Sequence, residues 1–481
     1  MALAKLIWSD YQKAIFNNVA NGKDGEHTVV IARAGASKTT ALVESVKYIP
    51  KRKSILFLAF NKRIAVELDN RIDKSYVETK TVHSTGLRSI RNALGSKVAL
   101  DPDKTLNITE AILHEKGYKK FEKEKFNIAF SVVRVVNLCK GALLDTPTKI
   151  DALIDQFDID TFELERDDFI KVVCQVLRKC KENKTVIDYG EMVWFPYVLN
   201  LPIMQYDRVF IDELQDLNAA QLHIALSSCK PNGRILGCGD PDQVLYEFTG
   251  VDIDGMDTLV KRLNATVLTL PVSYRCPKSV VKLAQEIVPD IQTFSNAKDG
   301  SVKFISEKEM LEKVQPGDFI LSRVNAPLIY LCLALLRVGT RANIQGRDVG
   351  QNLSWMIKKS GAKTVPEFLD WLSEWKKTEM ERLAKKNRDP ILIIDKSACL
   401  EALCEGERSL DSVQDNIKEL FRDGDDTTRV ILASVHRSKG LERDRVFVLK
   451  NTLRRGLNHG EDNVCYVAFT RAKSSLYLVD K

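Results

Sequence analysis

The stretch that decides the fold is His27-Thr28-Val29-Val30-Ile31-Ala32-Arg33-Ala34-Gly35-Ala36-Ser37-Lys38-Thr39-Thr40. Its β-branched run from Thr28 to Ile31 predicts a short buried strand. A loop of small residues follows, and Lys38 then begins a segment with the apolar spacing of a helix. A strand, a small loop, Lys-Thr and a helix form the layout of a phosphate-binding loop.

In such a loop the backbone N–H groups and the helix N-terminus face the phosphates. Lys38 would reach the β and γ oxygens, and the Thr39 hydroxyl would ligate Mg²⁺. The residues expected to hold the nucleotide here are Ala32, Arg33, Ala34, Gly35, Ala36, Ser37, Lys38, Thr39 and Thr40. The pattern G-x-x-x-x-G-K-[ST] is not fully met, because Ala32 and Ser37 occupy its glycine positions. An ordinary strand-to-helix turn that contains Lys-Thr is therefore an open alternative.

Length and composition restrict the class of protein. At 481 residues the chain predicts two to four domains, and 44% hydrophobic with 28% charged residues is typical of a globular protein. No apolar run approaches membrane-spanning length, so no membrane partner is expected. Ten cysteines without a C-x-x-C pair argue against a zinc or disulfide scaffold and favour a cytoplasmic location. The compact size favours a prokaryotic cell or a phage-infected host cell as that location. The net charge of +7 is compatible with a polyanionic partner.

The alternation of strands and helices predicts an α/β fold with two parallel-sheet units and two mainly helical insertions. The first unit is assigned to residues 1–90 and 185–265, interrupted by a helical insertion at 91–184. The second unit is assigned to 266–346 and 428–481, interrupted by a shorter helical insertion at 347–427. Two strands are expected at Thr79–His83 and, as the start of the second unit, at Thr266–Leu270.

Two surface patterns have both a structural and a functional interpretation. A basic cluster at Lys119, Lys120, Lys123 and Lys125 is a solvated helix face or a nucleic-acid contact, and the first is favoured. A helix predicted from about Thr364 carries an aromatic stripe on one face, where Phe368, Trp371 and Trp375 lie with Leu372. That stripe is expected to be a packing face rather than a platform for base stacking.

Carboxylates follow two further predicted strands. The strand Asp207–Ile211 ends in Asp212-Glu213-Leu214-Gln215-Asp216, and the strand Arg234–Gly239 ends in Asp240-Pro241-Asp242-Gln243. Open α/β sheets bind their ligands just beyond the carboxyl ends of their strands. Both acidic segments are therefore expected at the same edge as the phosphate loop.

Transfer of a phosphoryl group to water needs a phosphate cradle, a metal ion, a positioned water and cations for the transition-state charge. Lys38 and its loop are the predicted cradle, and Asp212 with Thr39 forms the predicted Mg²⁺ site. Glu213 is placed to polarise the attacking water, and Gln243 is a neutral amide able to orient the γ-phosphate. The second unit offers two candidate arginine fingers, Arg275 and Arg471.

Ten short motifs occur in order along the two units: Gln12, Ala32 to Thr39, Phe60-Asn61-Lys62, Thr81-Val82-His83, Asp212 to Asn218, Gly239 to Gly250, Ser273-Tyr274-Arg275, Arg323 to Ala326, Ser434 to Glu442, and Tyr466 to Ala472. Their residues and order resemble those of superfamily 1 helicases of the UvrD/Rep/PcrA type, in a compact form. The two insertions fall where that family inserts helical subdomains, although the motif matches do not extend into them.

The resemblance implies two RecA-like cores that bind ATP in the cleft between them. Gln12 would read the adenine, and Glu442 would lie near the ribose, with Gly440 in the same nucleotide-binding motif. Arg275 and Arg471 would stabilise the transition state when the cores close. Members of the family move along single-stranded DNA from 3′ to 5′ by this motion of the two cores. Single-stranded and tailed duplex DNA are therefore the expected partners.

Residues expected to contact DNA are of two kinds. Aromatic rings at family stacking positions, each worth ~1–3 kcal/mol per stacked base, are Phe60, Tyr246 and Phe248. Polar candidates for phosphate or base-edge contacts are Asn61, Thr81, His83, Arg323, Asn325 and His436.

The expected function is thus an ATP-dependent DNA helicase and translocase with replication or repair partners that the sequence does not identify. Alternatives are an RNA-directed helicase, a protein-stripping translocase, or an ATP-gated binding or signalling protein with weak turnover. The last is motivated by Ser37, which replaces the family's glycine beside Lys38.

Overall fold

The computed structural model describes residues 8–59, 65–66, 71–117, 124–157, 159–162, 164–245, 255–385, 389–423 and 426–480, without the side chains of 124–127. The chain divides into two compact units. The first comprises Met1–Arg33 and Ser37–Leu270, and the second comprises Ala34–Ala36 and Pro271–Lys481. Within the described ranges each unit contains a six-stranded sheet whose paired strands are all parallel. This confirms the predicted α/β class.

The first sheet has the strand order β3-β2-β6-β7-β1-β8. Its strands are β1 Thr28–Ala32, β2 Ile55–Ala59, β3 Val77–Thr81, β6 Tyr206–Ile211, β7 Cys229–Gly239 and β8 Thr266–Leu270. The central strands are continuous apolar runs because helices cover both faces of a parallel sheet. Three neighbours, β6, β7 and β1, are the strands that end at the acidic segments and the phosphate loop.

The strand at Thr266–Leu270 does not belong to the second unit, and that part of the domain assignment is wrong. It pairs in parallel with β1, with Thr28 opposite Thr266 and Ala32 opposite Leu270. β8 is an edge strand of the first sheet, and Leu270 is its buried residue. An apolar β-branched run predicts a strand, but it does not specify which of two sheets the strand joins.

The strand predicted at Thr79–His83 ends earlier than expected. Strand β3 stops at Thr81, and Val82 and His83 already belong to a helix. The Thr81 hydroxyl accepts a hydrogen bond from the Ser84 N–H (3.2 Å), so Thr81 is the N-cap. The β-branched residues at the junction concealed this capping signal.

The helices of the first unit are α1 Asp10–Asn21, α2 Lys38–Ser45, α3 Val82–Leu94, α4 Lys104–Glu115, α5 Glu124–Ala142, α6 Pro147–Gln156, α7 Arg166–Glu182, α8 Tyr189–Val198, α9 Ala219–Ser227 and α10 Gly255–Leu263. A short pair, β4 Ala99–Leu100 and β5 Val186–Ile187, joins the helical part. The hydrophobic cluster of this part extends beyond 91–184, because it includes Ile90, Ile187 and Phe195. The lysine cluster predicted at 119–125 lies outside the described side chains.

A buried ionic group ties three of these helices together. Lys104 Nζ lies 2.7 Å from Glu191 Oε2, and Lys140 Nζ lies 2.7 Å from Asp188 Oδ2. All four side chains are almost fully buried, so removing one partner would leave an uncompensated charge. The group therefore fixes α4 and α5 against the start of α8.

The second sheet has the order β11-β16-β15-β12-β14-β13. Its strands are β11 Ser301–Ser306, β12 Phe319–Ser322, β13 Ala342–Ile344, β14 Val430–Ser434, β15 Arg443–Leu449 and β16 Ala472–Asp480, and a separate pair is β9 Val272–Ser273 with β10 Gln292–Thr293. The helices of this unit are α11 Lys278–Ala284, α12 Glu307–Lys313, α13 Ala326–Arg337, α14 Arg347–Ser360, α15 Val365–Lys385, α16 Ile391–Cys404, α17 Leu410–Leu420 and α18 His459–Phe469.

The helical stretch from α14 to α17 shares one hydrophobic core with the second sheet. Phe368 and Leu400 of the stretch belong to the same buried cluster as Leu432 of β14 and Phe447 of β15. Trp371 stacks on Phe368, with ring centroids 5.9 Å apart, and packs against this cluster. The prediction of a packing face for the aromatic stripe is therefore confirmed.

No helix in the described part of the chain combines the length and apolar character needed to cross a bilayer.

Because the core is shared, a cavity in α15 should destabilise the sheet and the helical stretch together. We expect Phe368→Ala to lower the free energy of unfolding by about 3–5 kcal/mol, the usual cost of removing a buried aromatic ring. Urea unfolding followed by tryptophan fluorescence and far-UV circular dichroism measures this. Lys377→Ala, at an exposed position of the same helix, is the matched control, and it should change the free energy of unfolding by less than about 0.5 kcal/mol. A Phe368→Ala midpoint equal to the control's would contradict the shared core.

Candidate nucleotide-binding site

The phosphate loop connects the end of β1 to the start of α2 at Lys38. Gly35 (φ 74°) and Ser37 (φ 61°, ψ 40°) adopt left-handed backbone conformations. This explains why the pattern prefers glycine beside the lysine, since a side chain there costs roughly 1–2 kcal/mol. The Ser37 side chain makes no capping hydrogen bond to α2 that would offset this cost.

Two side chains at the start of α2 meet the acidic segment that follows β6. The Thr39 hydroxyl donates a hydrogen bond to Asp212 Oδ2 (2.6 Å). Lys38 Nζ lies 3.2 Å from Glu213 Oε2. The lysine, the threonine and both predicted catalytic carboxylates are thus brought together.

Burial sets the electrostatics of this cluster. Burial and the adjacent Glu213 charge raise the pKa of Asp212 to about 6. Burial works to lower the pKa of Lys38, but the Glu213 and Asp240 carboxylates raise it above its ordinary value. The lysine is therefore a fixed positive charge in a site that otherwise concentrates negative charge.

Glu213 is held by Gln215, a residue absent from the predicted site. The Gln215 amide nitrogen donates to Glu213 Oε2 (2.6 Å), and its amide oxygen accepts from the Asp240 N–H (3.1 Å). Gln215 is buried, so this geometry is fixed by its surroundings. One amide therefore links the acidic segment after β6 to the segment after β7.

The segment after β7 forms a second buried charge group. Gln243 Nε2 donates to Asp240 Oδ2 (2.7 Å), and Arg33 Nη1 lies 3.1 Å from Asp240 Oδ1. Arg33 also forms an ion pair with Asp242. Neither aspartate was predicted as a site residue, yet they connect the phosphate loop to the predicted γ-phosphate sensor.

A magnesium ion fits the oxygen atoms available here. A hydroxyl and a buried carboxylate with a raised pKa lie side by side at Thr39 and Asp212, and a cation would offset that buried charge. Mg²⁺ is commonly held by one or two carboxylates together with substrate phosphates and water. Among the described residues no cluster of three or more His, Cys, Asp or Glu side chains suggests another metal site.

The other predicted first-unit residues have identifiable positions. Gln12 is buried in α1, where its amide oxygen accepts from the Ser9 N–H (3.0 Å) in a capping box. Thr40 Oγ1 accepts from Arg71 (3.1 Å). Ala32 is buried at the end of β1. Ala34, Gly35 and Ala36 are grouped with the second unit.

The second unit brings its predicted nucleotide residues together at the turn after α18. Arg275 forms an ion pair with Glu442 and donates to the Thr470 carbonyl (3.4 Å). Arg471 is almost fully buried and donates to the carbonyls of Val467 (3.0 Å) and Leu441 (3.4 Å). Gly440, just before Leu441, has a positive φ of 79°.

Two predicted DNA contacts in the second unit are engaged by carboxylates. The Arg323 guanidinium donates hydrogen bonds to both carboxylate oxygens of Glu461, with N···O distances of 2.8–3.1 Å. Asp395 of α16 accepts from the Asn325 N–H (3.0 Å) and side-chain amide (3.2 Å). Sequence reasoning missed both partners because they lie 138 and 70 residues away along the chain.

Two histidines predicted to contact DNA have lowered pKa values. Burial lowers the pKa of His83, which lies in the first turn of α3 after the N-cap Thr81. Burial, followed by the Arg323 charge, lowers the pKa of His436 to about 4. His436 is therefore neutral at physiological pH. The predicted contacts Phe60, Asn61, Tyr246 and Phe248 lie outside the described residues.

Comparison with known proteins agrees with this geometry. The sequence model of the UvrD/REP helicase N-terminal domain matches residues 12–264, more than half of the chain. The model of the UvrD-like helicase C-terminal domain matches residues 430–479.

The chain belongs to the UvrD/Rep helicase family.

Its similarity to individual members is low and partial. It is 22% identical over 349 residues to the ATP-dependent DNA helicase UvrD1 of Mycobacterium leprae, covering 63% of this chain and 43% of that protein. It is 22% identical over 288 residues to PcrA of Bacillus subtilis (54% and 37%), and 21% identical over 406 residues to a probable DNA helicase II homologue of Mycoplasma genitalium (76% and 51%). The chain therefore spans about half, or less, of the length of these relatives.

The left-handed backbone conformation of Ser37 can be tested by its effect on the stability of the protein. Ser37→Gly should raise the free energy of unfolding by about 0.5–1 kcal/mol, because relief of the left-handed strain exceeds the added chain entropy of glycine. Chemical denaturation measures the change. Ser45→Gly is the comparison at a right-handed position (φ −55°) at the end of the same helix. It should lose more than about 1 kcal/mol, because it also removes the buried hydroxyl that donates to the Ala41 carbonyl (2.7 Å). Equal losses in the two variants would contradict the assigned strain at Ser37.

Proposed function

We propose that this chain is an ATP-dependent DNA helicase and translocase that moves on single-stranded DNA in the 3′ to 5′ direction. The observation that carries the proposal is the meeting of Lys38 and Thr39 with Glu213 and Asp212 at the carboxyl ends of parallel strands. Membership of a family whose compared members are named ATP-dependent DNA helicases supports the choice of ATP and DNA.

The site residues divide the work of ATP hydrolysis. Lys38 leaves Glu213 to bind the β and γ oxygens, which frees that carboxylate to polarise the attacking water. Thr39 and Asp212 would hold Mg²⁺, which would supply positive charge against the phosphate oxygens. Gln215 keeps Glu213 in place, and Gln243 orients the γ-phosphate and the water.

The second unit supplies cations for the transition state. Arg275 and Arg471 are assigned to the charge that develops on the transferred phosphoryl group. Arg275 must exchange its ion pair with Glu442 for the phosphate, which frees Glu442 to approach the ribose. Making hydrolysis depend on this exchange would couple turnover to movement of the protein on its strand.

The assignment of DNA contacts rests on positions that suit a polyanion. The capped N-terminus of α3, with Thr81 and His83, presents backbone N–H groups of the kind that bind phosphates. Arg323 and Asn325 remain proposed contacts, and each must exchange its carboxylate partner for the strand. Stacking by Phe60, Tyr246 and Phe248 would supply affinity without sequence preference. A cytoplasmic location is part of this proposal.

The test is the steady-state ATPase rate with Mg²⁺ and no nucleic acid, oligo-dT, oligo-U or blunt duplex DNA. We expect oligo-dT to stimulate the most, and displacement of a strand from tailed duplexes to require a 3′ tail. Stimulation by oligo-U above oligo-dT would indicate an RNA-directed enzyme. Stimulation without strand displacement would indicate a protein-stripping translocase.

Glu213→Gln is the matched test of the chemical assignment. It should lower the turnover number about a hundredfold or more while nucleotide still binds, because the amide cannot act as a base. Glu182→Gln, the same change at an exposed position of α7, should leave the rate unchanged. Absence of stimulation by every strand in the wild type, or full turnover in Glu213→Gln, would contradict the proposal.

A further inference from the structure

Arg33 lies in the phosphate loop, but its side chain is directed towards the neighbouring strand end. Strand β1 pairs in parallel with β7, with Ile31 opposite Gly239, so the residues that follow the two strands emerge side by side. On the other side of β1, the Arg33 N–H donates to the Leu270 carbonyl of β8 (2.9 Å). The backbone of Arg33 is therefore fixed by the sheet while its guanidinium reaches Asp240 and Asp242.

Of the two aspartates, Asp240 depends more strongly on the positive charge of Arg33. Its side chain is fully buried, and a buried carboxylate is stable only when charges and hydrogen bonds compensate it. Oδ1 receives Arg33 Nη1 (3.1 Å) and the Asp242 N–H (3.3 Å), and Oδ2 receives the Gln243 amide (2.7 Å). Gln243 is thus oriented by an acceptor whose charge Arg33 balances.

Lys38, Arg33 and Asp242 are charged groups that act on Asp240. Burial raises its pKa, the Lys38 and Arg33 charges oppose that rise, and the Asp242 charge adds to it. In the proposed reaction Lys38 turns to the phosphates of ATP. The Arg33 charge then continues to oppose protonation of Asp240.

We propose that Arg33 is a positioning residue for hydrolysis, which holds Asp240 as an acceptor and thereby fixes the Gln243 amide towards the γ-phosphate and its water. This inference rests on the proposed function of the site. If Asp240 takes up a proton, it loses the negative charge that makes it a strong acceptor and one of its oxygens becomes a hydroxyl donor, so the hydrogen bond that orients the Gln243 amide is weakened. The step that suffers is then the chemistry, not nucleotide binding.

The experiment compares Arg33→Met and Arg33→Lys with the wild type in DNA-stimulated ATP hydrolysis. Arg33→Met should lower kcat about 10- to 100-fold, the range in which a misplaced positioning group acts, with KM for ATP changed less than about threefold. Arg33→Lys keeps the charge and should recover most of kcat. A merely structural function of Arg33 would not be rescued by charge alone.

The pH profile of kcat provides an independent measurement. The acid limb should move to higher pH in Arg33→Met, because Asp240 then protonates more easily. The acid limb should move to lower pH in Asp242→Asn. That change removes the negative charge beside Asp240 and also removes the ion pair between Arg33 and Asp242. Opposite shifts in the two variants require Asp240 to be the group that Arg33 serves.

Several results would overturn the inference. A rise in KM above tenfold with kcat unchanged would make Arg33 a phosphate ligand, and coincident pH profiles for the three proteins would remove Asp240 from the explanation. If Arg33→Met does not fold, Arg33→Lys and Asp242→Asn carry the test through their pH profiles. If the wild type hydrolyses ATP and every variant matches its rate, only this inference is wrong. If the wild type shows no DNA-stimulated hydrolysis, the proposed function is wrong.

Discussion

The structure of the first unit depends on the compensation of two buried carboxylates at one edge of a parallel sheet. Asp212 follows β6, Asp240 follows β7, and the phosphate loop follows β1, so three adjacent strands deliver their ends to the same place. Burial raises the pKa of both carboxyls, and the Glu213 charge adds to the rise at Asp212 as the Asp242 charge does at Asp240. Lys38 from the loop after β1 opposes the rise at both carboxyls, and Arg33 from the same loop opposes it at Asp240. A site built in this way is electrostatically prepared for a triphosphate and its cation, because the loop supplies positive charge and the strands supply metal-binding oxygens.

Much of this arrangement could be predicted from the sequence, for identifiable reasons. The end of an apolar run predicts where a strand ends, and parallel strands place their carboxyl ends at the same edge of a sheet. The positions of Lys38, Asp212 and Gln243 at that edge could therefore be predicted from their distance along the chain from each strand. Contacts between the acidic segments did not follow, because Gln215 and Asp240 carry no local signal of the partner they bind. The same limit applies to β8, whose composition predicts a strand but neither the sheet that it joins nor its exposed position at the sheet edge.

Helix capping and long-range pairing were further features that the sequence did not reveal. Thr81 favours a strand by its β-branched side chain, yet its hydroxyl caps a helix once Ser84 follows three residues later. Arg323 and Asn325 have the chemistry of DNA contacts, and they meet Glu461 and Asp395 only through the tertiary fold. The shared core of the second unit explains the second case, because α16 packs with α13 and brings Asp395 to the start of that helix.

The central claim is that the buried charges at the ends of β1, β6 and β7 form a nucleotide site, and ligand-induced stabilisation tests it most directly. Thermal unfolding is measured with Mg²⁺ and a non-hydrolysable ATP analogue, for the wild type and for Lys38→Ala. Binding at a hundredfold excess over Kd adds about 2.7 kcal/mol to the free energy of unfolding. The account predicts a clear rise in Tm for the wild type that is lost in Lys38→Ala. An unchanged wild-type Tm at millimolar analogue, or an equal rise in the variant, would contradict it.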